Sequence, residues 1–178
     1  MTPLEAYSAP DDWARSQVAL RALVLLGPVL SVLAAGPAGH APPWWLVAVV
    51  AALAGASAWV PDSPFGVAPL LVVLGWWAAG LGHSTSAWVL AGAAGLVVAH
   101  VAGVLASYGP ATMQVDAATV RLWARRGVLV LLTAPVAWAV SRLLGDEPEQ
   151  PGVWVLGIVA SCVAAVLATA ALTGEEER

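Results

Sequence analysis

Apolar residues in this chain fall in six long runs, and the polar residues fall almost entirely in the short stretches between them. The hydrocarbon core of a bilayer is about 30 Å thick and a helix rises about 1.5 Å per residue, so a crossing needs roughly 20 mostly apolar residues, with a lower limit near 17. The runs meet that requirement: Ser16 to Ala35, Trp44 to Val60, Phe65 to Leu81, Ser86 to Ser107, Ala117 to Leu144 and Pro151 to Leu172. The pattern predicts an all-α polytopic transmembrane helix bundle of six spans with no soluble domain. A five-span arrangement ranks second, because it leaves one apolar run unplaced. Residues 1–15 form a polar N-terminal tail and residues 173–178 an acidic C-terminal one.

The run boundaries carry their own signals. Pro37 and Gly39 end the first; Pro61-Asp62-Ser63-Pro64 joins the second and third in a turn short enough only for a tight hairpin; Gly109-Pro110 follows the fourth. Asp116 is placed to cap the fifth helix, whose first third is amphipathic. Pro151 suits the first turn of the sixth, and Gly174 stops it. Pro28 and Pro135 each remove a backbone hydrogen bond within a span and predict kinks, with Thr133 a nearby donor for a freed carbonyl.

Composition agrees: 60% of residues are hydrophobic, 10% are charged and the mean hydropathy is +0.83, whereas roughly a quarter of residues are charged in soluble domains. Net charge is −4, with seven arginines and no lysine, which leaves no basic surface to follow a nucleic-acid backbone. The first dozen residues carry Glu5, Asp11 and Asp12 and no cation, unlike the positive start of a signal peptide, so the first span is expected to be retained. Arg21, near the start of that span, is expected to lay its stem along lipid and reach the headgroups. Cys162 excludes an intramolecular disulfide and reads as a packing residue.

Arginine placement sets the orientation, since Lys- and Arg-rich short loops stay cytoplasmic. With both termini inside, Arg15, Arg21, Arg121, Arg125, Arg126 and Arg178 are cytoplasmic and Arg142 alone is outside. The location expected is the plasma membrane. Trp44, Trp45, Trp76, Trp77, Trp88, Trp138 and Trp154 then fall near outer helix ends, and Trp13, Trp59 and Trp123 near inner ends, as interfacial indoles should.

Helices in lipid associate through close contact between small residues and a few hydrogen bonds. The fourth span carries Ala91, Gly95, Ala99, Gly103 and Ser107 on one stripe, and the sixth Gly157, Ser161, Ala165, Thr169 and Thr173. Both stripes are expected to face helices, whether of this chain or of another protein.

Candidate chemistry is sparse. His100 is the titratable group well inside a span besides Cys162, and it reads first as a neutral imidazole hydrogen-bonded to a neighbouring helix, ahead of a proton relay or ligand. No carboxylate lies in a span interior, which weighs against proton- or cation-coupled transport. His40 and His83, with Asp146, Glu147 and Glu149, make at best a poor metal site without ligand spacing. Ser57 and His100 are the sole pair worth naming for an intramembrane hydrolase. No catalytic, cofactor or metal motif is present. Arg121, Arg125 and Arg126, at the start of the fifth span, read as anchors for anionic headgroups or, second, as a partner contact.

Pro42-Pro43-Trp44-Trp45, Pro61-Asp62-Ser63 and Arg121-Leu122-Trp123-Ala124-Arg125-Arg126, together with the layout of spans, resemble small multi-pass membrane proteins of high-GC actinobacteria encoded beside MoxR-type ATPases and transglutaminase-like membrane proteins. That resemblance implies an accessory subunit of a cell-envelope or assembly system and carries no assigned activity. The sequence therefore leads to an accessory or scaffold protein that packs against other membrane proteins. The alternative is a small substrate-binding transport subunit, similar in size and span number to the six-helix specificity components of energy-coupling vitamin importers. Their Ala-x-x-x-Ala docking pattern is not clean in the first span here. An intramembrane hydrolase ranks third.

Overall fold

The computed structural model describes residues 13–80 and 86–143, and the regular elements among them are all helices. In chain order they are α1 (Arg15–Leu33), α2 (Trp44–Trp59), a 3₁₀ turn (Pro64–Val67), α3 (Ala68–Gly80), α4 (Trp88–Ala106), α5 (Ala117–Leu131) and α6 (Thr133–Leu143). The run from Pro151 to Leu172 lies outside the described residues. Three helical stretches are long and apolar enough to cross a membrane: α1, α4 and the combined Ala117–Leu143. Trp44–Trp59 and Phe65–Gly80 are apolar but shorter. Among the described residues, three of the six expected spans are thus helices of membrane-crossing length and two, expected near the lower limit, are shorter.

Local chemistry explains the boundaries. Asp116 accepts hydrogen bonds from the backbone N–H groups of Ala118 (2.9 Å) and Thr119 (3.3 Å), the N-cap the sequence predicts. Ser63 accepts from Phe65 N–H at 3.2 Å and opens the 3₁₀ turn. That turn replaces the α-helical start expected at Phe65. Pro69 has no N–H to give to the Phe65 carbonyl, so Ala68 N–H takes it instead in a tighter bond. Pro135 acts likewise between α5 and α6: the predicted kink is a break at Leu132, and Thr133 Oγ1 donates to the Val130 carbonyl at 2.6 Å. Pro28, by contrast, is held inside an uninterrupted α1.

α1 is the central helix, with α4 along one side and α2 and α3 beside it. Two buried clusters mark its ends. Val32 and Ala35 meet Leu46 and Val50 of α2 and Val73 and Trp77 of α3. At the other end Leu20 and Val24 meet Ala102, Leu105 and Ala106 of α4. The loop after α4 is tied to the start of α1, where Ala14 N–H donates to the Ala111 carbonyl at 2.9 Å and Val115 N–H to Ser16 Oγ at 3.2 Å. α5 touches the bundle at Gly127, where an added Cβ would stand 3.1 Å from Val101 Cγ2.

Candidate functional site

The closest approach in the bundle is between α1 and α4. A Cβ built on Gly27 would fall 2.5 Å from the Gly95 carbonyl oxygen and 2.7 Å from Ala99 Cβ; one on Gly95 would fall 2.7 Å from the Gly27 carbonyl oxygen. The two backbones meet because neither residue has a side chain, which is how packing replaces hydrophobic burial in lipid. Ser31 Oγ donates across the same seam to the Gly92 carbonyl at 2.9 Å, and Trp77 Nε1 donates to the Ser31 carbonyl at 3.1 Å. Of the predicted stripe, Gly95 and Ala99 lie at this seam, Gly103 lies beside Val24, and Ala91 is exposed. Gly157, Ser161 and Ala165 lie outside the described residues.

Arg21 does not reach for headgroups as expected. Its side chain is buried, and Nη1 donates to the carbonyls of Ala58 (2.6 Å) and Trp59 (2.8 Å) at the C-terminus of α2. Those last carbonyls have no partner within their own helix and carry the negative end of its dipole, so a guanidinium there both satisfies and neutralises them. The guanidinium also lies over the Trp13 ring, 4.4 Å from its centroid, and Trp13 packs against Trp59. Trp77, expected at an interface, turns into the bundle and is 8% exposed. His40 stacks on Trp76 with centroids 4.4 Å apart and covers Gly80. His83, Asp146, Glu147, Glu149 and Cys162 lie outside the described residues, which contain no group of three His, Cys, Asp or Glu placed to hold a metal.

His100 is exposed on α4, and no described residue bonds to its ring. It shares with Ser57 the lining of a cavity of 170 Å³, together with Ser63 and Ser107. Ser57 Oγ donates to the Leu53 carbonyl of its own helix at 2.8 Å. Its proton is therefore directed to backbone, and a nucleophilic serine must direct it to a base. At the start of α5, Arg121 and Arg125 are exposed, while Arg126 is half-buried with its guanidinium 5.4 Å from the Trp123 ring centroid. Trp123 Nε1 in turn donates to the Tyr108 hydroxyl at 3.2 Å.

Sequence reasoning passed over Gly27 and Ser31 of α1, although they stand four residues apart, and Gly92 of α4, which lies one residue off the stripe read there; it also passed over Gln17, which is fully buried with both amide atoms lacking a hydrogen-bond partner. No protein-family model matches the chain, and neither a curated protein nor a solved structure was found similar to it.

Proposed function

We propose that the chain is a six-span plasma-membrane protein, with N- and C-termini cytoplasmic, that acts as an accessory or scaffold subunit packed against partner membrane proteins and has no catalysis of its own. Antiparallel alternation supports the crossings. α2 begins beside Val32 of α1 and ends on Arg21, and α3 returns to place Trp77 beside Val32, so α2 runs antiparallel to α1 over most of its length and α3 comes back to the end where α2 began. A short span is accommodated by local thinning of the bilayer at a fraction of a kcal/mol per Å. The sixth crossing is the run from Pro151 to Leu172. Orientation rests on the arginine bias.

The observation that carries the accessory reading is the state of α5 and α6. Gly127 is the buried residue of α5, and α6 buries none. Leu129, Val130, Leu132, Val136 and Val140 are all exposed. Lipid exposure costs an apolar side chain nothing, but a span is held in place by van der Waals packing against another helix. Among the described residues this pair packs chiefly on α4 and buries only Gly127. The polar side chains of Arg21, Ser31, Ser57 and Trp77, and of Thr133 at the start of α6, all donate to backbone carbonyls, which is structural use. A photo-crosslinking residue at Val136 or Val140, tested in native membranes against one at Leu30 on α1, is expected to give a single discrete protein adduct from α6. Adducts with lipid alone from every position would overturn the reading.

One observation favours the transport-subunit alternative: the 170 Å³ cavity is lined by Ser57, Ser63, His100 and Ser107, enough polar groups to orient a small ligand. A ligand-dependent rise in Tm of the purified chain would favour it over the scaffold.

A further inference from the structure

A groove of 540 Å³ runs between α3, α4 and α5, with Leu74, Val89, Leu96 and Val130 among its apolar lining residues. Along α4 it extends from Val89 to Val101, a rise of about 18 Å at 1.5 Å per residue. One leaflet of hydrocarbon is about 15 Å deep, half the core. The groove therefore has the length of one acyl chain. Its formal cation is Arg126, and the antiparallel course of α5 fixes where that charge lies. Gly127 packs on Val101 and Val97, so Trp123 and Arg126 sit at the Val101 end while Val130 lies further along. Arg126 is half-buried beside Gly127, with the Trp123 ring as its contact and no described carboxylate paired to it. Arg121 and Arg125 are exposed and do not line the groove. An apolar trough one chain long, closed at one end by a guanidinium and an indole, has the charge and shape of an amphiphile with a single negative head.

We propose that this groove binds one anionic phospholipid from the surrounding bilayer, with an acyl chain along α4 and the phosphate on Arg126. Arginine suits the role because its planar fork meets two phosphate oxygens at once. The site rests on the membrane reading but is independent of whether the chain has a protein partner.

Native mass spectrometry of the full chain, released from micelles holding equal amounts of phosphatidylglycerol and phosphatidylcholine, tests it directly. The wild type is expected to retain one lipid with about fivefold preference for phosphatidylglycerol. Arg126→Gln should bring the ratio to unity, and Arg121→Gln/Arg125→Gln should leave it unchanged. Ala93→Phe, which puts a ring into the trough, should lower retention of both lipids. Equal retention by the wild type, or a preference that survives Arg126→Gln, overturns the proposal. So does a chain that carries no lipid, the result expected if a protein helix fills the groove. Thermal unfolding of each variant separates loss of the site from loss of the fold. Extraction of the chain from membranes by carbonate alone would instead undercut the membrane reading itself.

Discussion

Gly27 and Gly95 bear on stability in a way that their neighbours in type do not. Gly55 and Gly75 have open space where a Cβ would go, whereas at Gly27 and Gly95 it meets the facing backbone. Alanine at 55 or 75 is expected to be neutral or to stabilise by about 0.5–1 kcal/mol through helix propensity. Alanine at 27 or 95 should destabilise by roughly 1–3 kcal/mol because backbone cannot yield as a side chain does. Thermal unfolding in one detergent checks the contrast, and equal shifts at all four positions would remove the seam from the account. Arg21→Met removes two charge-assisted bonds to the end of α2 and is expected to cost about 2–3 kcal/mol; retention of wild-type Tm would return Arg21 to the lipid-facing role. Gln17 goes the other way. Its buried amide has no partner, so Gln17→Leu, which fits the same space without polar atoms, is expected to raise stability by about 1 kcal/mol. At this scale the sequence was partly legible. The stripe on α4 could be read because glycine and alanine recur every four residues. Its counterpart on α1, Gly27 and Ser31, has the same spacing but is only two residues long within the helix, and the large Leu20 and Val24 continue its face, so the facing helix is what sets it apart. Arg21 was misjudged for a related reason: position in a span says that a cation needs a partner, and the partner lay 37 residues away in Ala58.

Elements were far more legible, because apolar run length and breaker residues act locally. The first five predicted runs match the described helices closely at their starts and ends. The misses are at proline: Pro69 turns the first residues of the third run into 3₁₀ helix, and Pro135 divides the fifth run at Leu132. Proline signals a disturbance, but whether the helix survives it depends on packing. Pro28 is fully buried in the central helix and is tolerated; Pro135 stands in a helix pair with almost no burial and breaks it. Pro135→Ala should therefore join α5 and α6 into one rod. Distances between spin labels at Leu122 and Val140 are expected to lengthen and sharpen, and an unchanged distribution would place the cause of the break elsewhere.

Among the described residues, α1 threads a bundle in which α2, α3 and α4 alternate in direction, while α5 and α6 lie chiefly against α4 and bury a single residue, Gly127. That inequality of packing is the feature that supports the proposed accessory role; the sequence shows the fifth run to be less apolar than the second to fourth, but not which helices it packs against. Sequence also could not separate Arg126 from Arg121 and Arg125, three cations within one helical stretch, until the neighbouring α4 set one of them apart. The central claim is that these helices, including the shorter two, cross a bilayer. Single cysteines introduced at Ala41, Asp62 and Thr112 in a Cys162→Ala background, probed with an impermeant maleimide on intact cells, test it most directly. The account predicts labelling at Ala41 from outside and at Asp62 and Thr112 only after the membrane is opened. Labelling of Ala41 and Asp62 from the same side would mean that α2 does not cross, and would contradict it.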